Sequence, residues 1–568
     1  MGQPTLMSDP GYWLSGARIY WSLVRQRIQK GPVFAWRFIG PVPERLAMVP
    51  PDLRPSDPLV ARDIYEGRFS FSGRVVETGG VSPFSVQPPS ANWEETLHGF
   101  RWLRHLKGAE SDLASANARA LVNDWIQSHG RSLSGTPWRL SVTAARVIAW
   151  MQYSRLLLLE SDHAFYRRFM ASLARQVRYL RGLAPSMGDD LEALTVRIAL
   201  CFASQVLPSS SRFERSAARN LEYQLRAQIL PDGGHVSRCP DALPGLLADL
   251  LPLAQCYVSV SKAVPQEIVR AVDRMFPALR FFRHTDGHIA MFHGAGSNNF
   301  DLAAAVLRHD QNGSQPLGHM PHSGYQRLSK GHSVVIADTG VPPSGPHSYN
   351  GHASCLAFEF SNGRQRLIVN SGVDRLDRES YRELARMTAA HSTLVIDDTS
   401  SARFARFGKK WPECRFRVVS GPSTVRIERN EDTAAPGFAA QHDGYLKLFG
   451  LWHERGLTLR DEGNRLEGYD RLIAGGHRSA SAEQHQFDIR FHLHPAIRAE
   501  KDDHRSVRLA TDQGESWRFT ADRGDVTLED SIHFAGVAGP VRTRMILISG
   551  IWPQIDTVEW TLRRFHAS

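Results

Sequence analysis

A stretch near the middle of the chain holds the side chains best suited to chemistry. Residues 350–372 read NGHASCLAFEFSNGRQRLIVNSG, and residues 385–398 read ARMTAAHSTLVIDD. Two predicted strands flank the pair Asn362-Gly363, which is a strong signal for a β-hairpin. The first stretch ends in the polar sequence NSG, and in the second the polar residues of AAHST precede the apolar sequence LVI. The sequence therefore predicts polar groups gathered at the ends of neighbouring strands.

Three of these groups could take part in chemistry: His352 lies at the start of one strand, Asn370 at the end of its partner, and His391 opens a third. Polar residues also cap strands without any chemistry, so both readings stay open. A two-residue turn at Asn362-Gly363 would put Asn370 and His352 on opposite faces. A three-residue loop with a bulge shifts the pairing by one and brings both to one face. A shared site therefore requires the longer loop.

The predicted secondary structure that must position these side chains changes from helices to strands near residue 320. From about residue 92 to 283, apolar residues recur at spacings of three and four, which predicts roughly eight helices joined by short loops. After residue 332 the period becomes two, and about twelve short stretches such as TVEWTL predict a large antiparallel sandwich. YLKLFGLW at 445–452 is among these predicted strands. GRFSFSGRVVETGG, from Gly67, predicts a smaller β-structure before the helices.

Composition narrows the class of partner. The chain has 568 residues and a net charge of +10, which favours polyanions such as nucleic acid, anionic lipid or acidic polysaccharide. Basic residues are spread along the helices and are not interleaved with aromatic residues, so nucleic-acid binding is not expected. Five scattered cysteines predict no disulfide framework. The sequence leaves the oligomeric state open.

No apolar stretch reaches the ~20 residues that span a bilayer, so no integral membrane segment is expected. Residues 11–30 are basic and aromatic, and Arg18 interrupts them before an apolar signal-peptide core can form. We therefore expect a cytoplasmic protein, or a periplasmic one if the start of the chain is misassigned.

The motifs resemble those of the heparinase II/III-like polysaccharide lyases. That family carries HxHAD-x-LSFxL, a VDPG-like turn and R-x-x-x-x-HNT, and this chain has NGHASCLAFEF, VNSG and RMTAAHST. NWEETLHGFRWL, QILPDGGHVSRCP and HSGYQRL are also similar to the family. The resemblance extends from about residue 57 onward. It implies an incomplete (α/α) toroid followed by a β-sandwich, in agreement with the periodicity. We expect an N-terminal basic and aromatic segment at 1–60, the toroid at 61–315 and the sandwich at 316–568.

The resemblance implies β-elimination on a uronate-containing acidic polysaccharide. A base removes the C-5 proton, and donors stabilise the charge that develops on the carboxylate. The catalytic candidates implied for this chain are His235, Tyr325, His352, Arg386 and His391. The substrate-binding candidates are Arg238 and Asn350, the latter standing where the family has the first His of its motif.

The chain also departs from the family. The implied zinc set is His352, Asn370 and His391, with Asn370 where the family has Asp. Because a neutral amide is a poorer zinc ligand than a carboxylate, we expect weak zinc binding or none. Residues 240–243 read PDAL where the family has a catalytic Tyr-His pair.

Three functions therefore remain open from the sequence. The first is a polysaccharide lyase. The second is a non-catalytic protein that binds acidic glycans on the lyase fold. The third is hydrolysis by paired carboxylates, which would need Asp189 or Asp190 to face another acid.

Overall fold

A computed structural model describes residues 37–296, 300–374, 376, 378–404, 418–475, 484–536 and 539–565. The predicted basic and aromatic helix at residues 11–30 lies outside this part of the chain. The Cα positions divide into two compact units. One comprises Met1–Gln228 and Gly245–Val272, and the other comprises Ile229–Pro244 and Asp273–Ser568. This division differs from the three predicted domains, whose bounds stay a prediction.

The first unit is helical. It opens with the helix Pro58–Tyr65 and a hairpin of strands β1 (Arg68–Phe71) and β2 (Arg74–Glu77). The helices that follow are Ala91–Gly99, Leu103–Gly108, Asp112–His129, Leu140–Gln152, Ser154–Leu158, His163–Leu183, Leu191–Val206 and Ser211–Gln228. Ala242–Ser259 and Gln266–Phe281 contribute residues to both units.

Helix starts in the first unit follow from short polar residues. Ser90, Ser111, Asp162 and Asp190 each accept a hydrogen bond from the backbone N–H three residues later, at 2.7–3.3 Å. Such N-caps satisfy a donor that the first helical turn leaves without a partner. Asp190, one of the two acids considered for hydrolysis, is therefore a helix cap. Asp189 accepts a hydrogen bond from Gln224 at 2.7 Å.

One helix among the described residues, Ala242–Ser259, is long and apolar enough to cross a membrane. However, 67% of its apolar stretch is buried inside the protein. A buried core helix passes the same test of length and composition, so this feature is weak support for a membrane span.

The second unit adds the helices Phe300–Leu307, Glu379–Ala385 and Leu446–Phe449 and most of the strands. The strands are β3 (His319–Met320), β4 (Tyr325–Lys330), β5 (Ser333–Asp338), β6 (Phe358–Asn362), β7 (Gln365–Ile368), β8 (Leu394–Ile396), β9 (Arg403–Phe404), β10 (Val418–Ser420), β11 (Val425–Asn430), β12 (Gly437–His442), β13 (Leu451–Arg460), β14 (Arg465–Ala474), β15 (His485–His492), β16 (Arg498–Lys501), β17 (Ser506–Ala510), β18 (Ser516–Ala521), β19 (Asp525–His533), β20 (Val541–Trp552) and β21 (Thr557–Phe565).

These strands form three main antiparallel sheets. Their orders are β3-β4-β5-β6-β7, β19-β20-β15-β8 and β11-β12-β13-β14-β21-β18-β17-β16. One apolar core takes residues from all three, and in it the Phe358 ring stacks on Trp560 of the eight-stranded sheet with centroids 5.7 Å apart. The fold class is confirmed: a helical N-terminal region precedes an antiparallel β-sandwich.

Two strand predictions were wrong in detail. Residues 446–449 of YLKLFGLW form a helical turn, because Gly450 has φ +72 and ends that turn before β13 begins. In SCLAFEF the strand begins only at Phe358, because Leu356 has φ +60 and interrupts the extended backbone. The hairpin turn is Gly363-Arg364, one position later than predicted, and a register shift follows between Phe360 and Ser361. His352 and Asn370 both lie outside β6 and β7, so the register of this hairpin does not decide which face they share.

Candidate functional site

His352 and His391 are in direct contact inside the second unit. His352 Nδ1 and His391 Nε2 lie 3.1 Å apart, and His391 Nδ1 lies 2.8 Å from the Met387 carbonyl oxygen. Because a carbonyl can only accept, His391 Nδ1 carries the proton of the neutral ring and His352 Nδ1 donates the shared bond. Burial, then the neighbouring His391, lowers the pKa of His352 well below 6.5. Burial also lowers the pKa of His391 to about 4. Both rings are therefore neutral at pH 7.

The side chains around this pair do not complete a zinc site. Asn370 is buried, and its Oδ1 accepts a hydrogen bond from the Ser392 backbone N–H at 3.1 Å. That contact fixes the amide so that Nδ2, a donor, is the atom without a hydrogen-bond partner among the described residues. In the same part of the chain, no group of three or more His, Cys, Asp or Glu could hold a metal ion. Structural zinc takes four ligands, so two imidazoles and an engaged amide do not fit it.

Arg238 is the cation of a buried ion pair with Asp338. Arg238 Nη2 donates to Asp338 Oδ1, and the other N–H groups donate to four backbone carbonyls at 2.7–3.2 Å, those of Ser323, Gly324, Gly340 and Val341. A guanidinium has five N–H donors, so all of them have acceptors within the protein. Binding of a uronate by Arg238 would therefore require it to leave Asp338.

Asp338 was not among the predicted site residues, yet it joins several of them. It accepts hydrogen bonds from Ser354 Oγ at 2.6 Å and from His293 Nε2 at 3.0 Å. His293 Nδ1 accepts from the His352 backbone N–H at 3.1 Å, so the proton of the neutral His293 ring is on Nε2. Burial alone would raise the pKa of Asp338, but Arg238 and His293 offset it and hold that pKa well below 3.8. The carboxylate is ionised and fully engaged.

Tyr325 is fully buried on β4. Its hydroxyl donates to the Arg238 carbonyl at 2.6 Å, and the Arg238 guanidinium lies 4.7 Å from its ring centroid. The ring also packs edge-on against Phe282, with centroids 4.9 Å apart. Burial raises the pKa of Tyr325 well above 10. These contacts hold the phenol protonated and fixed to the backbone of the Arg238 loop.

His235 belongs to the same loop, whose sequence is DGGHVSR. It is buried, and its Nδ1 accepts from the Ser237 backbone N–H at 3.1 Å. Burial, then His347, lowers the pKa of His235 to about 3. The loop is tied down by Asp232, which accepts from the Ser323 N–H and hydroxyl, both at 2.7 Å. His235 is therefore a neutral imidazole with little basicity.

Gly233 allows this loop to approach a neighbouring helix closely. Its φ is +83, and a Cβ there would lie 2.0 Å from the Arg274 carbonyl oxygen. We expect Gly233→Ala to cost at least about 2 kcal/mol more in free energy of unfolding than Gly313→Ala. Gly313 is the matched control, since its φ is +57 and no atom lies within 4 Å of the added Cβ. Urea denaturation followed by circular dichroism measures both, and equal losses would contradict the prediction.

Arg386 and Asn350 are also held by internal contacts. Arg386 donates to the carbonyls of Gly351 at 2.7 Å and Ser348 at 3.0 Å. Burial, then Arg382, lowers the pKa of Arg386 to about 9. Asn350 Oδ1 accepts from Arg382 Nη2 at 2.8 Å. Both residues therefore shape the turn that precedes His352.

A second buried pair, His284 and Glu359, lies beside this network and was missed from the sequence. Its two side chains are 2.8 Å apart at Nε2 and Oε2, and Glu359 Oε1 accepts from the Asn370 backbone N–H at 2.9 Å. Burial would raise the pKa of Glu359, but His284 offsets it and lowers that pKa. The sequence could have indicated this pair, because Glu359 lies within the apolar run LAFEF and a buried carboxylate requires a partner.

Taken together, the network supplies few groups for acid–base chemistry. The histidines have low pKa values, the tyrosine has a high one, and their polar atoms contact one another or the backbone. A general base works best when its pKa lies near the working pH. The arrangement is that of buried polar groups that satisfy one another and fix the surrounding loops.

The sequence and the fold both match known proteins. Residues 312–561 match the family described as heparinase II/III-like, C-terminal. The fold is similar to a crystal structure of heparinase III, with a TM-score of 0.70 at 13% identity over 99% of this chain and 93% of that one. The heparan sulfate lyase HepC of Pedobacter heparinus gives a TM-score of 0.59 at 16% identity, over 91% and 84% of the two chains.

The chain therefore belongs to the heparinase II/III-like family, as a divergent member. Among its relatives is the FtsZ-localized protein C of Caulobacter vibrioides (strain NA1000 / CB15N). The two are 32% identical over 539 residues, which cover 92% of this chain and 91% of that protein.

Proposed function

We propose that this chain binds acidic polysaccharide without cleaving it. The observation that carries the proposal is the state of the candidate acid–base residues, which are buried and bonded within the protein. His235 and His391 have pKa values of about 3 and 4, so they are weak bases at neutral pH. Tyr325 is protonated and donates its hydrogen to a backbone carbonyl. β-Elimination needs a base that titrates near the working pH and reaches the substrate.

Two observations favour an acidic polysaccharide as the ligand. The chain has the fold of enzymes named for their action on heparan sulfate and related polymers. It also carries a net charge of +10, which attracts polyanions at long range. Lyase activity is the rival function. It would require catalytic side chains other than those in the buried hydrogen-bond network described above.

A panel of polygalacturonate, alginate and heparan sulfate tests both functions. We expect binding that weakens as salt is raised, because the Debye length falls to about 8 Å at physiological ionic strength. We expect no growth of the ultraviolet band of unsaturated uronates during incubation. Dextran is the neutral control. Growth of that band would establish lyase activity. An affinity for dextran equal to that for the acidic polymers, at both low and high salt, would contradict the proposed binding.

A second function is favoured by the relative from Caulobacter vibrioides, which is named for its localisation with FtsZ. We propose that this chain also localises with FtsZ, in the cytoplasm. A fluorescent fusion imaged together with labelled FtsZ in the native host tests the localisation. The expected result is a shared pattern, and a uniformly distributed fusion would contradict it.

A further inference from the structure

A row of arginines crosses the outer face of the eight-stranded sheet. Five neighbouring strands, in the order β13, β14, β21, β18 and β17, each contribute one arginine. Each arginine pairs directly with the arginine on the next strand. They are Arg460, Arg465, Arg563, Arg518 and Arg508. Their neighbours along each strand, such as Leu562 and Phe519, are buried in the sandwich core, so the arginines share the opposite face. At ~4.8 Å between strands, the row is about 19 Å long.

The row of five arginines places like charges side by side, which is unfavourable for stability, and these side chains do not pack in the sandwich core. Like charges directly opposite each other on neighbouring strands repel, and the row contains four such pairs in succession. The side chains remain accessible, with exposed fractions of 36% for Arg465 and 53% for Arg518. An accessible row of one charge across a sheet is the pattern expected of a surface that meets an opposite charge.

Carboxylates neutralise the ends of the row more than its centre. Glu467 accepts hydrogen bonds from the two arginines on β13 and β14, and Asp461 lies 3.8 Å from Arg465. At the other end, Asp502 lies 2.5 Å from Arg508 and 3.4 Å from Arg518. Arg563, in the middle, has no ion pair within the described part of the chain. The row is therefore most strongly cationic where its central guanidinium lies.

An open cleft of about 650 Å³ adjoins the row on the same face. Gly437 and Gly456 are among the residues that line it. The Tyr469 ring lies over Gly456, where an added Cβ would be 2.2 Å from Tyr469 Cε1. Thr458 and Thr561 supply hydroxyl groups along the side that faces the arginines. The cleft therefore combines an aromatic ring, hydroxyls and the edge of a cationic row.

We propose that this face binds an acidic polysaccharide, whose acid groups contact the arginine row while a sugar ring occupies the cleft. The inference rests on the proposed function and gives that binding a location. Guanidinium groups form paired hydrogen bonds with carboxylates and sulfates. The hydroxyls of a sugar can donate to the threonines and glutamates of the cleft.

The same face is poorly suited to an anionic membrane. Glu428 and Glu559 are exposed on the row that contains Tyr469, and both line the cleft. A flat anionic surface lying on the arginines would also approach these carboxylates, which repel it within a Debye length. An acidic polysaccharide has acid groups that can contact the arginine row. It also has hydroxyls that can donate to the carboxylates of Glu428 and Glu559.

The test compares two triple variants of the full chain that lose the same charge. The first is Arg465→Gln, Arg518→Gln and Arg563→Gln. The control is Arg212→Gln, Arg215→Gln and Arg219→Gln, three exposed positions on the helix Ser211–Gln228. Isothermal titration with polygalacturonate measures affinity. The row variant is expected to bind about tenfold more weakly or worse, and the control is expected to stay within about threefold of the parent. The melting temperature of the row variant should change little, because the loss of like-charge pairs offsets the loss of the exposed ion pairs of Arg465 and Arg518.

Each other outcome is informative. An unchanged affinity of the row variant overturns the location while leaving the proposed function in place. Equal weakening of both variants overturns it too, since only net charge would then matter. A parent chain that binds no acidic polysaccharide overturns the proposed function itself. Vesicles of phosphatidylglycerol and phosphatidylcholine provide a final comparison, and loss of vesicle binding alone in the row variant would assign the face to a lipid surface and overturn the inference.

Discussion

Asp338→Asn is expected to lower the free energy of unfolding by about 3–5 kcal/mol, because it leaves the buried Arg238 guanidinium without its counter-ion. Asparagine keeps the size of the side chain but replaces one accepting oxygen with an NH2 group, so the change removes the charge and one of the two acceptor atoms that Arg238, Ser354 and His293 contact. The pKa of Asp338 lies below its ordinary value in the folded chain. Its contribution is therefore present at pH 7 and is lost only as pH falls through that lower pKa. Urea denaturation at pH 7 measures the effect.

Asp530→Asn is the matched control for this experiment. Asp530 also faces an arginine, at 3.7 Å from Arg544, but its side chain is 99% exposed. An exposed ion pair contributes little, so we expect a change within about 0.5 kcal/mol. An Asp338→Asn variant as stable as the parent, with glycan binding lost, would instead assign this carboxylate to ligand binding.

The melting temperature is expected to fall by about 10 °C or more between pH 7 and pH 5. The cause is a set of buried histidines whose pKa values are lowered mainly by burial. The pKa is about 3 for His98, His235, His492 and His494, and about 4 for His105, His391 and His533. The unfolded chain takes up protons near pH 6.5, and the folded chain does not. Stability is thus complete above pH 6.5 and declines as pH falls toward 4.

Each proton taken up on unfolding costs about 1.4 kcal/mol of stability per pH unit in this range. His492→Gln should therefore flatten the dependence of stability on pH by about that amount between pH 6 and pH 5. His322→Gln, at an exposed position, should leave the slope unchanged. A melting temperature that stays constant from pH 7 to pH 5 would show that the buried imidazoles are protonated in the folded chain.

The sequence predicted the architecture because each helix or strand buries one face, so its apolar residues recur at the spacing of that element. In β21 the alternation of Val558, Trp560 and Leu562 with Glu559 and Arg563 reappears as alternating burial. Local backbone irregularities were not predicted. The positive φ of Leu356 arises where the chain enters β6, and nothing in its apolar neighbours indicates it. His492 is buried, and its Nε2 donates to the Ala389 carbonyl at 3.0 Å. That partner lies about a hundred residues away along the chain, so no local pattern indicates it.

The candidate site was only partly accessible from the sequence for a related reason. His352 and His391 stand in a motif whose order is recognisable, so their juxtaposition could be anticipated. The partner of Arg238 could not be found in this way, because Asp338 lies 100 residues further along the chain. Such ion pairs depend on tertiary packing, and a single sequence carries no local pattern for them. The arginine row was missed for the same reason, since its members come from five strands whose pairing order does not follow the chain.

The second compact unit is assembled from two separate stretches of chain, 229–244 and 273 onward. A gene fragment beginning at residue 312, where the family match starts, would encode Asp338 and Glu359 without Arg238 and His284. Two buried carboxylates would then be made without the side chains that donate hydrogen bonds to them. The sandwich is consequently not a portable module, and recombination could transfer it intact only by moving the upstream loops as well.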